Sequence, residues 1–329
     1  MVKKILVIGS GAWGTALANH LAYNNHQVFL YTRQIADVKQ INKTHHNPKV
    51  FSQYQLSSNI TALNEYLPDV DLVFLAVPSD KVIEVFDQLK PIKFANKTIF
   101  VNCAKGIYQN PNSIANGDDN ILGFFSEYFK KNFIDKQFAI LSGPNFAIEV
   151  MQKKPTVTTI GCEEMQTYLT IKELMENNFF KTSHSPAIKC LELCGSIKNI
   201  LAIGCGLING LDLGINAKSA LIIKGIEEIK SICKFLNIAQ DLASPAGFGD
   251  IFLTCSSEKS RNYSLGISLA KGLEVSANVN YEGQKAVFLI AKFAKQINLK
   301  LDLCELIAKI IHKQISIDNY QQEITKVIV

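Results

Sequence analysis

Residues 5–14 read Ile5-Leu6-Val7-Ile8-Gly9-Ser10-Gly11-Ala12-Trp13-Gly14, and this stretch decides the fold. Four apolar residues form a strand, a G-x-G-x-x-G follows, and an amphipathic helix runs on to Asn24. Gly9 permits the tight turn, Gly11 lets backbone approach a pyrophosphate, and Gly14 allows close packing of helix on strand. The helix N-terminus supplies oriented N–H donors. Alone, the glycine pattern is weak evidence. Between a strand and a helix, at the start of a βαβ unit, it marks Gly9, Ser10, Gly11, Ala12, Trp13 and Gly14 as a dinucleotide site.

Downstream, short β-branched runs alternate with amphipathic stretches. Strands are predicted at Lys4–Ile8, Val28–Thr32, Leu72–Val77, Thr98–Asn102, Phe138–Ser142 and Thr156–Ile160. Helices are predicted at Trp13–Asn24, Lys81–Lys90 and Glu163–Asn177, and Gln109–Asn120 reads as a loop. Continuous apolar strands such as Val73–Val77 suit a sheet covered on both faces. The alternation predicts an α/β N-terminal Rossmann domain, a doubly wound parallel sheet, over 1–185. Beyond His184 strand signals vanish. Ala187–Leu211, Ala217–Asn237, Tyr263–Gly272, Gly283–Asn298 and Asp302–Ile317 carry helical periodicity, predicting an all-α C-terminal domain over 186–329.

Bulk properties exclude several function classes. The 329-residue chain is 47% hydrophobic and 19% charged, the balance of a compact two-domain protein. Its net charge of +5 comes from scattered lysines with no basic stripe, which argues against nucleic-acid binding. The eight cysteines contain no C-x-x-C pair; Cys190 and Cys194 share a helical face, but no His or Asp completes a metal site. Buried thiols in a reducing cytosol are the expectation, with no metal. Lys3-Lys4 and the uncharged run after it copy a secretory signal superficially, but the glycine spacing has its own meaning. No apolar run reaches the roughly 18–20 residues of a membrane span, so a cytoplasmic protein is expected. An all-helical second domain with apolar faces allows a homodimer and a monomer equally.

Among the 34 basic residues only Arg33 and Arg261 are arginine. Arginine suits forked recognition of phosphate or carboxylate where lysine does not. Arg33 follows the second predicted strand, where an acid would grip the ribose of NAD(H). It points instead to the 2′-phosphate of NADP(H), with NAD(H) also accommodated. Arg261 follows Ser260, which can cap the helix starting near Tyr263, so Arg261 and Asn262 lie where N–H groups favour an anion. Lys198 is the one charged residue between Glu192 and Asp212. Burial depresses a lysine pKa and suits it to proton transfer, although a snorkelling structural lysine fits the same pattern. Lys105 follows the predicted strand Thr98–Asn102, and ligands bind at the carboxyl ends of such strands. Two ammoniums converging on one substrate would lower each other's pKa.

Together these segments resemble the NAD(P)-dependent glycerol-3-phosphate dehydrogenase family. The match runs through Gly9–Leu17, Lys105-Gly106, Ser142–Val150, Leu191–Gly210, Gly214–Glu227, Ala246–Asn262 and Tyr281–Gly283, in the family's order. The resemblance implies reversible reduction of dihydroxyacetone phosphate to sn-glycerol 3-phosphate, the precursor of the phospholipid backbone. It casts Lys198 as general acid/base, Lys105 beside it contacting substrate and nicotinamide, and Asp250 and Thr254 as their polar network. Ser260, Arg261 and Asn262 would hold the substrate phosphate, with Gly143 and Asn145 also lining the substrate site. Ala12, Trp13, Arg33, Ala147, Arg261, Asn280 and Glu282 fall at cofactor positions. Two departures stand out: Asn145 replaces the family's usual Ser or Thr, and Asn47–Ser52 follows the N-x-x-Y-L-P pattern only loosely. No role is carried onto that loop. Two other readings fit part of the pattern. One is a related dehydrogenase of a hydroxy acid such as 6-phosphogluconate. The other is a non-catalytic nucleotide-binding redox sensor, which leaves Lys198, Lys105 and Asp250 unexplained.

Overall fold

The computed structural model describes residues 2–110, 121–275, 279 and 281–329. The chain divides into two compact units, one of residues 1–104 and 125–188, the other of residues 105–124 and 189–329. Where the sequence suggests one division near Ser185-Pro186, the chain divides after residue 188, and residues 105–124, with Lys105 at their head, also group with the helical unit.

The first unit runs β1 (Lys4–Ile8), α1 (Ala12–Tyr23), β2 (Gln27–Tyr31), α2 (Ile35–Thr44), β3 (Ile60–Leu63), β4 (Leu72–Leu75), α3 (Val82–Leu89) and β5 (Ile99–Asn102). It continues with α4 (Phe125–Asn132), β6 (Gln137–Ser142), α5 (Ala147–Met151), β7 (Thr156–Gly161), α6 (Met165–Met175) and β8 (Phe180–Ser185). Strands β3-β2-β1-β4-β5-β6 lie side by side, all parallel, with the order reversing between β1 and β4. That is the doubly wound arrangement. Ile5, Leu6, Val7 and Ile8 are at most 1% exposed, as a strand covered on both faces requires. Beyond β6, strand β7 pairs antiparallel and β8 pairs parallel to β7, so the sheet is parallel-dominated. The sequence of Thr156–Ile160 predicts a strand but carries no sign of direction, because the alternation of side chains reads the same both ways.

Strands β3 and β8 are not among those expected: Ile60–Leu63 and Phe180–Ser185 are broken by polar residues, whereas β4 is a continuous apolar run. Of the expected loop Gln109–Asn120, residues 111–120 lie outside the described residues; Tyr108–Gln109 pairs with Leu122–Gly123 in a small hairpin. Helix α1 is fastened to the end of α6. His20 Nε2 donates to the Met175 carbonyl at 2.7 Å, and Asn24 Nδ2 donates to Leu174 at 2.8 Å. Burial pulls the His20 pKa down to about 4, so this histidine is a neutral structural strut.

The second unit contains α7 (Ile188–Gly210), α8 (Gly214–Phe235), α9 (Asp250–Cys255), α10 (Arg261–Ala270), α11 (Glu282–Gln296), α12 (Asp302–Ile311) and α13 (Tyr320–Ile328). By length and composition α7 is apolar enough to cross a membrane, which corrects the expectation of no such run; its most apolar window is 100% buried inside the protein. The helix is the core of its unit. Helix α10 crosses it at two glycines: a Cβ on Gly206 would lie 2.0 Å from the Tyr263 carbonyl oxygen, and one on Gly266 2.0 Å from that of Ile203. Only glycine permits that approach, which fixes where α10 starts relative to α7.

Candidate active site

The buried centre of the helical unit is a lysine–aspartate–lysine cluster. Lys105 Nζ and Lys198 Nζ each lie 2.8 Å from the same oxygen, Asp250 Oδ2. The side chains of Asp250 and Lys198 are 1% and 7% exposed, that of Lys105 23%. Local chain geometry puts them there. Ser244 Oγ accepts from Gly247 N at 3.1 Å, closing a tight turn, Pro245–Gly249, that ends on Asp250 as the first residue of α9. A Cβ on Gly247 would sit 2.4 Å from the Leu242 carbonyl oxygen, so the turn needs glycine. Lys105 lies close over Gly195, one turn of α7 before Lys198: a Cβ on Gly195 would fall 3.2 Å from the Lys105 Cβ.

The charges set the chemistry. Burial lowers the Lys198 pKa to about 8; Asp250 opposes that fall and the Lys105 ammonium adds to it. Burial alone would raise the Asp250 carboxyl, but the ammoniums of Lys105 and Lys198 outweigh it and hold the pKa below the ordinary value. A buried group of two cations and one anion can give up a proton near neutral pH and stabilise a developing alkoxide. Thr254 is buried beside Asp250, yet its hydroxyl donates to the Asp250 backbone carbonyl at 2.6 Å rather than to a lysine.

A second group lies in the same unit, where two helices begin. Ser260 Oγ accepts from Tyr263 N at 3.4 Å, making it the N-cap of α10, and exposed Arg261 is the first helical residue. Buried Asn262 accepts from Gly283 N through Oδ1 at 3.1 Å, pinning the start of α10 to the start of α11 at Glu282. Asn199, adjacent to Lys198, places its amide 3.4 Å from the Gly195 carbonyl and 3.5 Å from Glu282 Oε2. Sequence reasoning passed over Asn199; its one signal is a polar residue beside Lys198 in an apolar helix. Asn280 lies outside the described residues.

The first unit holds the remaining residues. Gly9 has φ 112°, and a Cβ on Gly14 would lie 1.8 Å from the Gly9 carbonyl oxygen. A Cβ on Gly11 would meet nothing within 4 Å. Nothing in the fold of its own loop therefore demands glycine at Gly11, whose backbone stays open to approach. Helix α1 has no side-chain cap and no acid in its first turn, which leaves its N–H groups for an anion. Ser10 and half-buried Trp13 complete the loop, and Arg33 stands exposed just after β2. On the turn from β6 to α5, a Cβ on Gly143 would fall 2.9 Å from Thr158 Cα. Asn145 donates to the Val157 carbonyl at 3.2 Å and accepts from the Thr158 hydroxyl at 3.1 Å. Its polar atoms thus tie the turn to β7. Ala147 opens α5.

The sequence-predicted residues thus fall into two groups. Gly9–Gly14, Arg33, Gly143, Asn145 and Ala147 belong to the sheet unit; Lys105, Lys198, Asp250, Thr254, Ser260, Arg261, Asn262 and Glu282 belong to the helical unit. Among the described residues no cluster of three His, Cys, Asp or Glu is placed to hold a metal ion, and all eight cysteines are buried, with no disulfide between them.

A doubly wound sheet with a glycine loop after β1, followed by a helical unit with buried lysines on one aspartate, defines a nicotinamide-nucleotide dehydrogenase of two units. The comparisons with known proteins narrow the class. Family models for the NAD-dependent glycerol-3-phosphate dehydrogenase N-terminus and C-terminus match residues 4–168 and 188–322. The glycerol-3-phosphate dehydrogenase [NAD(P)+] of Brucella canis is 30% identical over 322 residues, covering 97% of this chain and 95% of its own. That of Erythrobacter litoralis is 33% identical over 319 residues, covering 94% and 92%. The crystal structure of glycerol-3-phosphate dehydrogenase from Coxiella burnetii superposes with a TM-score of 0.87 at 27% identity, covering 99% of this chain and 98% of that one. The chain belongs to the NAD-dependent glycerol-3-phosphate dehydrogenase family.

Proposed function

We propose that the Lys105–Asp250–Lys198 cluster handles the proton and the charge in this family's reaction, the reversible reduction of dihydroxyacetone phosphate to sn-glycerol 3-phosphate. The enzyme is an NAD(P)-dependent oxidoreductase whose product is the backbone precursor of glycerophospholipids. One observation carries the assignment of roles: two lysine ammoniums share a single buried carboxylate oxygen.

The glycine loop and the uncapped start of α1 are suited to the cofactor pyrophosphate, and bound nicotinamide supplies the hydride. The protein's own residues do the rest. Lys198, protonated, donates to the carbonyl oxygen as charge develops there; neutral, it takes the proton back in the reverse direction. Lys105 contributes a second positive charge, and Asp250 holds both ammoniums while keeping the net charge of the cluster positive. Ser260, Arg261 and Asn262 at the start of α10 hold the substrate phosphate, whose binding energy positions the remote carbonyl. Gly143 and Asn145 keep a substrate role, and Ala147, Asn280 and Glu282 a cofactor role, by family resemblance. Arg33 favours NADP(H) over NAD(H). A cytoplasmic location belongs to the same reading, supported by eight cysteines that are all buried as thiols.

The test is oxidation of NADPH and of NADH, followed by absorbance, with dihydroxyacetone phosphate as acceptor. Turnover is expected, and Lys198→Ala should lower kcat by about 10²-fold or more while cofactor affinity holds. Folded protein that oxidises neither cofactor with this acceptor, or that prefers 6-phosphogluconate, removes the assignment.

A further inference from the structure

The loop after α2, onto which the family resemblance placed no role, joins two parts of the sheet unit. Asn47 is 1% exposed, and its amide donates to the Ser10 carbonyl at 3.0 Å and to Thr15 Oγ1 at 2.8 Å. Its Oδ1 accepts from Lys49 N at 3.0 Å. Lys49 in turn places its ammonium 2.6 Å from Asp37 Oδ2, and the hydroxyl of Thr32, directly after β2, donates to that oxygen at 3.4 Å. The Asp37 side chain is 10% exposed and that of Lys49 56%. One short segment is thus bolted at one end to the glycine loop and at the other to the residues that follow β2.

A dinucleotide on a doubly wound sheet lays its pyrophosphate over the glycine loop and its adenosine ribose against the end of β2. A carboxylate there accepts hydrogen bonds from the ribose hydroxyls of NAD(H), and by charge it repels the 2′-phosphate of NADP(H). In this chain the position after β2 is Thr32-Arg33, and the carboxylate bonded to Thr32 is that of Asp37.

We propose that Lys49 is a specificity-determining residue: by holding Asp37 it masks the carboxylate that would favour an unphosphorylated ribose. Together with Arg33 it makes the β2 end a site for an adenosine 2′-phosphate. The half-exposed ammonium serves both purposes, neutralising Asp37 on one side and facing solvent on the other. This rests on the reading of the glycine loop as the dinucleotide site.

The experiment compares kcat/KM for NADPH and NADH, at saturating dihydroxyacetone phosphate, in the full-length enzyme and in Lys49→Gln, Asp37→Asn and the double variant. Lys49→Gln should lower kcat/KM for NADPH by about tenfold or more, while the value for NADH falls by less than about threefold or rises. Adding Asp37→Asn should recover most of the NADPH loss, because no bare carboxylate remains. Asp37→Asn alone keeps the ammonium and should leave the NADPH preference equal or higher. Equal losses for both cofactors in Lys49→Gln, or no recovery in the double variant, would show that Lys49 merely braces the loop and would overturn the proposal. Lys49→Arg, which keeps the charge, should keep the preference, and its loss of preference also counts against the proposal. The single tryptophan, Trp13, lies in the first turn of α1, so its fluorescence reports cofactor binding separately. No binding of either nucleotide by the unaltered enzyme would instead remove the dinucleotide reading itself.

Discussion

Asp250→Asn isolates what the shared carboxylate does for Lys198. With Asp250 in place the Lys198 pKa lies at about 8 instead of 10.5, so the site disfavours the ammonium by roughly 3 kcal/mol. Asp250 is what prevents a deeper fall. Two unit charges about 4 Å apart attract by about 4 kcal/mol at an effective dielectric of about 20, equivalent to about three pH units. Asparagine keeps the shape and one hydrogen bond but removes that attraction. Even a third of it brings Lys198 to neutrality or below, because burial and the Lys105 charge remain. The sign follows from the role: an acid donates only while protonated, so its contribution is lost as pH rises through its pKa. In the unaltered enzyme, kcat/KM for dihydroxyacetone phosphate should therefore fall above about pH 8. In Asp250→Asn the fall should begin at least about one pH unit lower, with a deficit of about fivefold or more at pH 8 that narrows toward pH 6. Glycerol 3-phosphate oxidation should show the opposite slope. The measurement is kcat/KM against pH in both directions, with circular dichroism to verify folding. An inflection that stays in place, moves upward, or gives way to a uniform loss at every pH would refute the electrostatic account.

Other perturbations test separate parts of the site. Gly14→Ala forces a Cβ to within 1.8 Å of the Gly9 carbonyl, so the melting temperature should drop markedly; Gly11→Ala, whose Cβ meets nothing within 4 Å, should melt normally yet bind both cofactors more weakly. Equal melting losses for the two would remove the ligand-facing role of Gly11. Arg261→Lys should raise KM for dihydroxyacetone phosphate by about tenfold with a smaller effect on kcat, since lysine cannot make the forked contact. An unchanged KM takes Arg261 out of the phosphate site. Ser260→Ala removes the bond to Tyr263 N and should cost about 1 kcal/mol in urea unfolding.

Much of this enzyme was legible in its residues. The turn from β1 into α1 is local chemistry, and three glycines between a strand and a helix report it directly. Fully apolar strands announced a sheet covered on both faces, and the change to helical periodicity announced the second unit. Lys198 showed itself as a lone charge in an apolar helix, and Ser260 as a cap, because caps depend on neighbours in sequence. What the residues did not disclose is long-range. Strand alternation records which faces are buried but not which way a strand runs, so the reversal at β7 was invisible. The segment headed by Lys105 follows a strand of one unit and groups with the other, where Lys105 lies close over Gly195 of α7. Family resemblance grouped Lys105, Lys198 and Asp250 in one polar network; tertiary packing decided that both ammoniums bear on one buried oxygen, and burial with these two charges sets the pKa of Lys198. Asn47 and Lys49 looked like a loose fit to a motif until folding bound them to Ser10 and Asp37. Local backbone preference and burial are written along the chain, whereas the charge balance of a buried site exists only once distant segments meet.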